Sequence, residues 1–233
     1  MSDELNARSL LFTPATRPER YERAVASGAD IVAIDLEDSV VGAEKELARK
    51  TALPWFATPR TGKATRALRI NSLRTEYWRG DIEAIRSSEA KPDILLIPKV
   101  ESPDDLSVVE SSLGDSGAKI RFIALVESIR GVERGEEIAR KGPRLAALFF
   151  GAVDLSAELR CTNSWDALLY ARSKVIFAAA GTGLDVLDVP WLALDDAAGL
   201  EAEIAAAVRM GFTGKAAIHP RHIAAIHAAF TPS

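Results

Sequence analysis

Eight short apolar, β-branched runs, each followed by a longer stretch of helical period, set the tightest limit on the fold this sequence can adopt. The runs are Ser9 to Ala15, Asp30 to Asp38, Arg66 to Leu73, Asp93 to Val100, Ile120 to Ser128, Leu145 to Leu155, Leu184 to Leu192 and Gly214 to Pro220. Several are continuously apolar, as in Ile94-Leu95-Leu96-Ile97 and Leu145-Ala146-Ala147-Leu148-Phe149-Phe150. Such runs suit parallel strands covered on both faces, whereas an antiparallel sandwich would alternate more cleanly. Between them apolar residues recur at three and four, for example Leu200, Ile204 and Val208, or Ile223, Ile226 and Phe230. Ser102-Pro103 has the chemistry of an N-cap followed by the first helical residue, and Gly28, Gly142 and Gly211 fall where helices should stop.

Eight units in 233 residues leave roughly 29 residues for each, close to the economy of a (β/α)8 TIM barrel with short loops. A doubly wound open sheet is the rival. Against it, no G-x-G-x-x-G follows the first strand, which leads instead into Thr16-Arg17-Pro18-Glu19-Arg20. The expected architecture is therefore a single α/β barrel domain over residues 1–233.

Composition narrows the partners. A hydrophobic share of 48% with 27% charged residues describes a globular chain able to bury a full core. The net charge is −4 with no basic block to follow a phosphate backbone, so nucleic acid is not an expected partner. No uncharged apolar run nears the roughly 18 residues that cross a bilayer, so a membrane is not expected either. The opening Met-Ser-Asp-Glu-Leu lacks the positive charge of a secretory leader, and the single cysteine, Cys161, has no internal disulfide partner. A cytoplasmic location is the expectation.

In such a barrel the active site lies where the strands end. There the sequence offers Asp35-Leu36-Glu37-Asp38, Arg69-Ile70-Asn71, Pro98-Lys99, Glu127-Ser128, Gly151-Ala152-Val153-Asp154, Asp188 and His219. Five or more carboxylates around one mouth call for a cation, and Mg²⁺, which needs only one or two carboxylates plus waters, suits Glu127 and Asp154 on adjacent strands. The plain alternative is that these acids pair with Arg69 and Lys99 as salt bridges. Arg69 can clamp a substrate carboxylate through its planar fork, or it can partner Glu37 or Asp38. Lys99 could form a Schiff base with a ketone, but the surrounding carboxylates should keep its ammonium protonated. His219 is expected in a loop role, with His222 and His227 facing solvent or neighbouring helices. A triad of Ser128, His219 and Asp188 lacks the strained Gly-x-Ser-x-Gly turn.

These residues carry a resemblance that runs nearly end to end. Arg8-Ser9-Leu10-Leu11-Phe12-Thr13-Pro14-Ala15, Arg17-Pro18-Glu19-Arg20, Asp35-Leu36-Glu37-Asp38-Ser39-Val40, Lys45 with Ala48-Arg49, Arg69-Ile70-Asn71, Pro98-Lys99, Glu127-Ser128, Phe150-Gly151-Ala152-Val153-Asp154 and Gly214-Lys215-Ala216-Ala217-Ile218-His219-Pro220 occur in order. In them the chain resembles the citrate lyase beta subunit-like proteins of the HpcH/HpaI aldolase family. The resemblance implies a trimeric or hexameric barrel that uses Mg²⁺ to make or break a carbon–carbon bond beside a CoA thioester. Citryl-, malyl- or citramalyl-CoA is the substrate class, with a 2-oxo acid and a shorter acyl-CoA as products. It implies Glu127 and Asp154 as metal ligands, Arg69 as the holder of the 2-oxo acid, Glu37 and Asp38 as the acidic pair near the metal waters, and Arg17 and Lys99 as basic groups that could meet CoA phosphates.

Two departures accompany the resemblance. Arg221-His222 follows Ile-His-Pro where the family commonly has a glutamine, and the sequence after helix eight leaves no room for the C-terminal lid of larger relatives. A short form without that lid is therefore expected, with intact binding, slow turnover, and Glu37 or Asp38 as stand-in bases unless a partner chain brings the lid. Two other functions remain at this stage: a metal-dependent aldolase acting on free 2-oxo acids without CoA, and a non-catalytic subunit that binds a CoA ester or 2-oxo acid.

Overall fold

The computed structural model describes residues 5–231. Eight strands, β1 (Ser9–Pro14), β2 (Ile31–Asp35), β3 (Thr65–Arg69), β4 (Ile94–Ile97), β5 (Arg121–Val126), β6 (Leu145–Phe150), β7 (Asp185–Asp188) and β8 (Gly214–Ala217), pair in sequence order, all parallel, and β8 returns to β1 to close the barrel. Around them run α1 (Tyr21–Ala26), α2 (Lys45–Ala57), α3 (Tyr77–Ser87), α4 (Pro103–Leu113), α5 (Ile129–Glu133), α6 (Gly135–Lys141), α7 (Ala152–Leu159), α8 (Leu169–Ala180), α9 (Ala197–Met210) and α10 (Ile223–Phe230). The expected (β/α)8 TIM barrel is the fold of this chain. No helix among the described residues is long and apolar enough to cross a membrane.

Strand periodicity sorts the core into two layers. Leu10, Ala33, Ala67, Leu96, Leu125 and Phe149 point inward and fill the barrel lumen, where Phe12 meets Phe149 edge to face at 6.0 Å. Their neighbours Leu11, Val32, Leu68, Leu95 and Ala124 point outward and pack under the helices. At fully buried positions each of the leucine, valine and phenylalanine side chains contributes on the order of 1.5–3 kcal/mol, and each alanine methyl about 0.8 kcal/mol or less. Helix ends follow local chemistry: Ser102 and Asp105 form a capping box at the start of α4, and Gly211 ends α9 at φ +100°, a left-handed conformation that glycine adopts without a Cβ penalty.

The strands end up to five residues before the sequence runs do, β3 at Arg69 instead of Leu73 for example, and two of these boundaries bear on the site. The run Leu145 to Leu155 is a strand only as far as Phe150; α7 begins at Ala152, so Asp154 sits in the first turn of a helix. Continuous apolar character does not distinguish a buried strand from a buried helix, and the run spans both. β7 likewise ends at Asp188 instead of Leu192, and that side chain is fully buried behind the sheet. There Asp188 accepts from Lys215 at 2.6 Å and from Arg172 at 3.3 Å, so it belongs to a structural ion cluster and not to the mouth.

At the opposite, N-terminal end of the barrel, α10 is tied to the first strands. Arg8 donates to both oxygens of Asp30 and to Thr231 Oγ1 (2.9 Å), and Ser9 Oγ lies 2.7 Å from His227 Nε2. His222 is buried, not solvent-facing, and its Nδ1 has no hydrogen-bond partner among the described residues; burial holds its pKa below the ordinary histidine value.

Candidate active site

One further step along the inward parity brings Asp35, Arg69, Glu127, Gly151, Val189 and Ile218 to the top rung of the barrel. All six line a cavity of about 510 Å³ at the C-terminal end of the strands, a size typical of small-molecule sites. Asp38, Ser39 and Arg20 join from the loops after β2 and β1, and Asp154 from the first turn of α7. The cavity's polar lining comes from Asp35, Asp38, Arg69, Glu127 and Asp154, and its apolar lining from Phe12, Leu125, Phe149, Val189, Leu192 and Ile218.

Arg69 is the hub of the polar lining. Register places it directly beside Asp35 on β2, and its Nε and Nη2 donate to the two Asp35 oxygens at 2.7 Å each. Nη1 donates to Asp38 at 3.0 Å, and the guanidinium stacks 4.8 Å from the Phe12 ring centroid. The fork is thus closed on Asp35, a partner the sequence reading does not name, while Nη1 takes the Asp38 it does; the donors left over for a substrate are one hydrogen on Nη1 and one on Nη2. Burial pushes the Asp35 carboxyl up, but Arg69 and hydrogen bonds from Ser39 and Glu37 N–H outweigh it and hold the carboxyl below the usual range. Asp35 also accepts from the backbone N–H of Glu37 (2.8 Å) and Ser39 (3.1 Å), so it folds the β2 loop as well as anchoring the arginine.

Glu37 and Glu127 are the reluctant acids. Glu37 is buried beside this cluster; its Oε2 lies 3.1 Å from Arg69 Nη1 but out of line for a hydrogen bond, and has no hydrogen-bond partner among the described residues. Burial pushes its carboxyl up to about 8, with Arg69 opposing and Asp38 and Glu127 adding to the rise. Burial and the charge of Asp154 push Glu127 up to about 7. Gly151 makes room for it: a Cβ there would lie 2.7 Å from Glu127 Oε2.

Lys99 sits between the two expected metal ligands. Its backbone N–H donates to Glu127 Oε1 at 2.9 Å and its ammonium pairs with Asp154 Oδ2 at 2.8 Å. Desolvation lowers the Lys99 pKa, but Asp154, Glu37 and Glu127 raise it by more, so the ammonium stays charged and is a poor Schiff-base nucleophile. Its charge is directed to Asp154 and not outward to an incoming phosphate. Arg17 is exposed at the start of the turn Pro18–Arg20 and does not line the cavity, whereas Arg20 does. His219 is a loop residue whose Nδ1 accepts from Arg221 N–H.

Among the described residues no three metal-ligating side chains converge on one point. A Mg²⁺ ion needs only one or two carboxylates and keeps several waters, so Glu127 and Asp154 are a sufficient pair. The orphaned Glu37 oxygen and the upward-shifted carboxyls describe a mouth short of positive charge, and a hard cation fits it.

Sequence reasoning missed the scaffold beneath these groups. Buried Lys45 donates to the carbonyls of Leu36 and Glu37, both at 2.6 Å, and pins the β2 loop. Arg49 pairs with Asp81 at 3.1 Å, and Asp81 accepts from Asn71 N–H and Nδ2, fixing the loop after β3. The place of Asp35 in the site could have been found by counting two residues on from inward-facing Ala33.

A family model described as HpcH/HpaI aldolase/citrate lyase matches residues 8–220. A (3S)-malyl-CoA thioesterase of Cereibacter sphaeroides is 35% identical over 228 residues, covering 97% of this chain and 78% of the relative. An L-malyl-CoA/beta-methylmalyl-CoA lyase of the same species is 31% identical over 252 residues, covering 97% of this chain and 79% of that protein. Among solved structures, a citrate lyase beta subunit from M. tuberculosis complexed with oxaloacetate and magnesium superposes with a TM-score of 0.83 at 32% identity, covering 98% of this chain and 99% of that one.

Proposed function

The chain belongs to the HpcH/HpaI aldolase/citrate lyase family, and from that premise we propose that it is a Mg²⁺-dependent carbon–carbon lyase acting on a 3-hydroxyacyl-CoA of the citryl-, malyl- or citramalyl-CoA kind. The observation that carries the reading is the meeting of Glu127, Asp154 and Arg69 around one cavity at the strand ends. The relatives supply the CoA ester, the 2-oxo acid and the metal; the geometry supplies groups suited to each. We further infer a cytoplasmic homo-oligomer, a trimer or hexamer.

Glu127 and Asp154 would hold Mg²⁺, which when bound polarises substrate oxygens as a Lewis acid. Arg69 orients the carboxylate of the acid portion through the donors not engaged by Asp35, while Asp35 keeps the guanidinium in plane. Asp38, which lines the cavity, accepts the 3-hydroxyl proton, with the buried Glu37 behind it, poised near neutrality, as its companion. The carbon–carbon bond between C2 and C3 then breaks. C3 becomes the carbonyl of the 2-oxo acid, and the electron pair passes to the thioester enolate, which takes a proton at C2 to give the shorter acyl-CoA. The apolar lining of Phe12, Leu125 and Phe149 limits water near that enolate. Arg20, at the cavity edge, is better placed than Arg17 to meet the CoA phosphates.

The test is a panel of short 3-hydroxyacyl-CoA thioesters with Mg²⁺, reading 2-oxo acid and free CoA separately. Equimolar 2-oxo acid and shorter acyl-CoA, abolished by chelation, are expected. Release of free CoA without 2-oxo acid would instead make it a hydrolase, the activity named for the Cereibacter thioesterase.

A further inference from the structure

Lys99 follows β4 with φ +54°, a left-handed conformation that a residue carrying a Cβ rarely adopts. The conformation has a visible result: the backbone N–H of this one residue meets Glu127 Oε1, and its side chain reaches Asp154 Oδ2. Backbone strain of this sort persists where the surroundings over-determine it, commonly at working sites.

We propose that Lys99 is a positioning residue that holds the two metal carboxylates ready in the metal-free protein and sets the affinity for Mg²⁺ by competing with it for Asp154. The proposal rests on the reading that Glu127 and Asp154 bind the metal. Its logic is electrostatic. Asp154, Glu37 and Glu127 all act on the ammonium, and without a divalent ion Lys99 is the cation paired with Asp154, while Arg69 offsets Glu127 and Glu37 from the other strand. The Asp154 oxygen that Lys99 occupies is one a metal would use, and a +2 ion arriving there repels the ammonium. Lys99 is partly exposed, which gives it room to swing toward solvent when that happens. Its backbone N–H stays on Glu127 throughout, so one ligand remains fixed while the other changes partner. The competition keeps the mouth from collapsing into an uncompensated acid cluster, and it keeps metal binding moderate.

Calorimetric titration with Mg²⁺ at neutral pH tests this on the intact protein, using Lys99→Met, Lys99→Gln, Lys99→Arg and the double variant Glu127→Gln/Asp154→Asn. Lys99→Met and Lys99→Gln should bind Mg²⁺ about tenfold more tightly than wild type, equivalent to roughly 1.4 kcal/mol, with Lys99→Arg staying near wild type. Thermal melts supply a second readout: Mg²⁺ should raise the Tm of Lys99→Met by more than that of wild type. A double variant that loses Mg²⁺ binding, together with unchanged or weaker affinity in both neutral Lys99 variants, overturns the competition and leaves the metal assignment standing. A double variant that binds as wild type does overturns the metal assignment itself.

Discussion

Replacing Arg69 by methionine should expose how much of this site is held by one guanidinium. Methionine keeps the stem and its contact with Phe12 but removes the donors to Asp35 at 2.7 Å and to Asp38 at 3.0 Å. Asp38 is two-thirds exposed and contributes little to the loss. Asp35 is buried, and breaking a buried pair by removing one partner costs about 3–5 kcal/mol because the other charge is left uncompensated. The backbone N–H groups of Glu37 and Ser39 still serve Asp35, which places the expectation at the lower end, about 3 kcal/mol. For a chain of this length that corresponds to a Tm lowered by about 6–12 °C. The loss should depend on pH. In wild type the Asp35 carboxyl is held low, so its contribution is present above the unfolded-state value and fades as pH falls through the folded value. Without Arg69, burial raises that carboxyl instead, and the variant loses further stability as pH climbs. The gap between the two proteins is therefore widest at neutral pH and narrows toward pH 4. Urea unfolding of both across that range is the assay. A gap under about 1 kcal/mol at pH 7, or one that does not change with pH, refutes the claim that Arg69 and Asp35 act as a buried unit.

Gly151→Ala should push Glu127 off the Lys99 N–H and weaken Mg²⁺ binding, with an overpacking loss of about 1–3 kcal/mol in urea unfolding; unaltered Mg²⁺ affinity would contradict the contact. Glu127 and Glu37 keep protons to about 7 and about 8 in the folded chain but release them near pH 4–5 when unfolded, so the metal-free protein should lose stability as pH rises from 5 to 8. Chelator-treated and Mg²⁺-loaded samples compared by denaturant unfolding should show Mg²⁺ removing the part of that decline due to Glu127; identical slopes would disprove the linkage.

The barrel was legible because seven of the eight apolar runs stop near a polar or turn residue, and strand boundaries followed within a few positions. The sixth was not, since Leu145 to Leu155 stays apolar through Gly151 into α7 and only chain geometry reveals the change of period. Arg69 and Glu127 could be found as ionisable residues ending strands, and both line the cavity. Asp35 is named among the strand-end acids but given no role beside Glu37 and Asp38, although inward parity singles it out. Lys45 and Arg49 stand out only as part of the resemblance and Asp81 not at all, and none receives a role: their partners lie on other elements, and only the folded chain brings a lysine ammonium to the carbonyls of the β2 loop. Asp188 misled for the opposite reason, because a strand-end acid of outward parity faces the helices.

The closure of β8 on β1 bears on how this protein is made. Arg69, Glu127 and Asp154 all precede β7 in the sequence, so the polar groups of the site are synthesised before the strands that close the barrel around them. Until Lys215 can pair with Ser9, and His227 can reach Ser9 and Asp30, the nascent sheet carries two open edges whose unpaired amides invite association with other chains. The last seam joins segments from opposite ends of the sequence, the kind of contact that makes folding slow. Synthesis of this enzyme thus includes an interval in which seven strands stand without the eighth, and the arrival of β8 and α10 ends it.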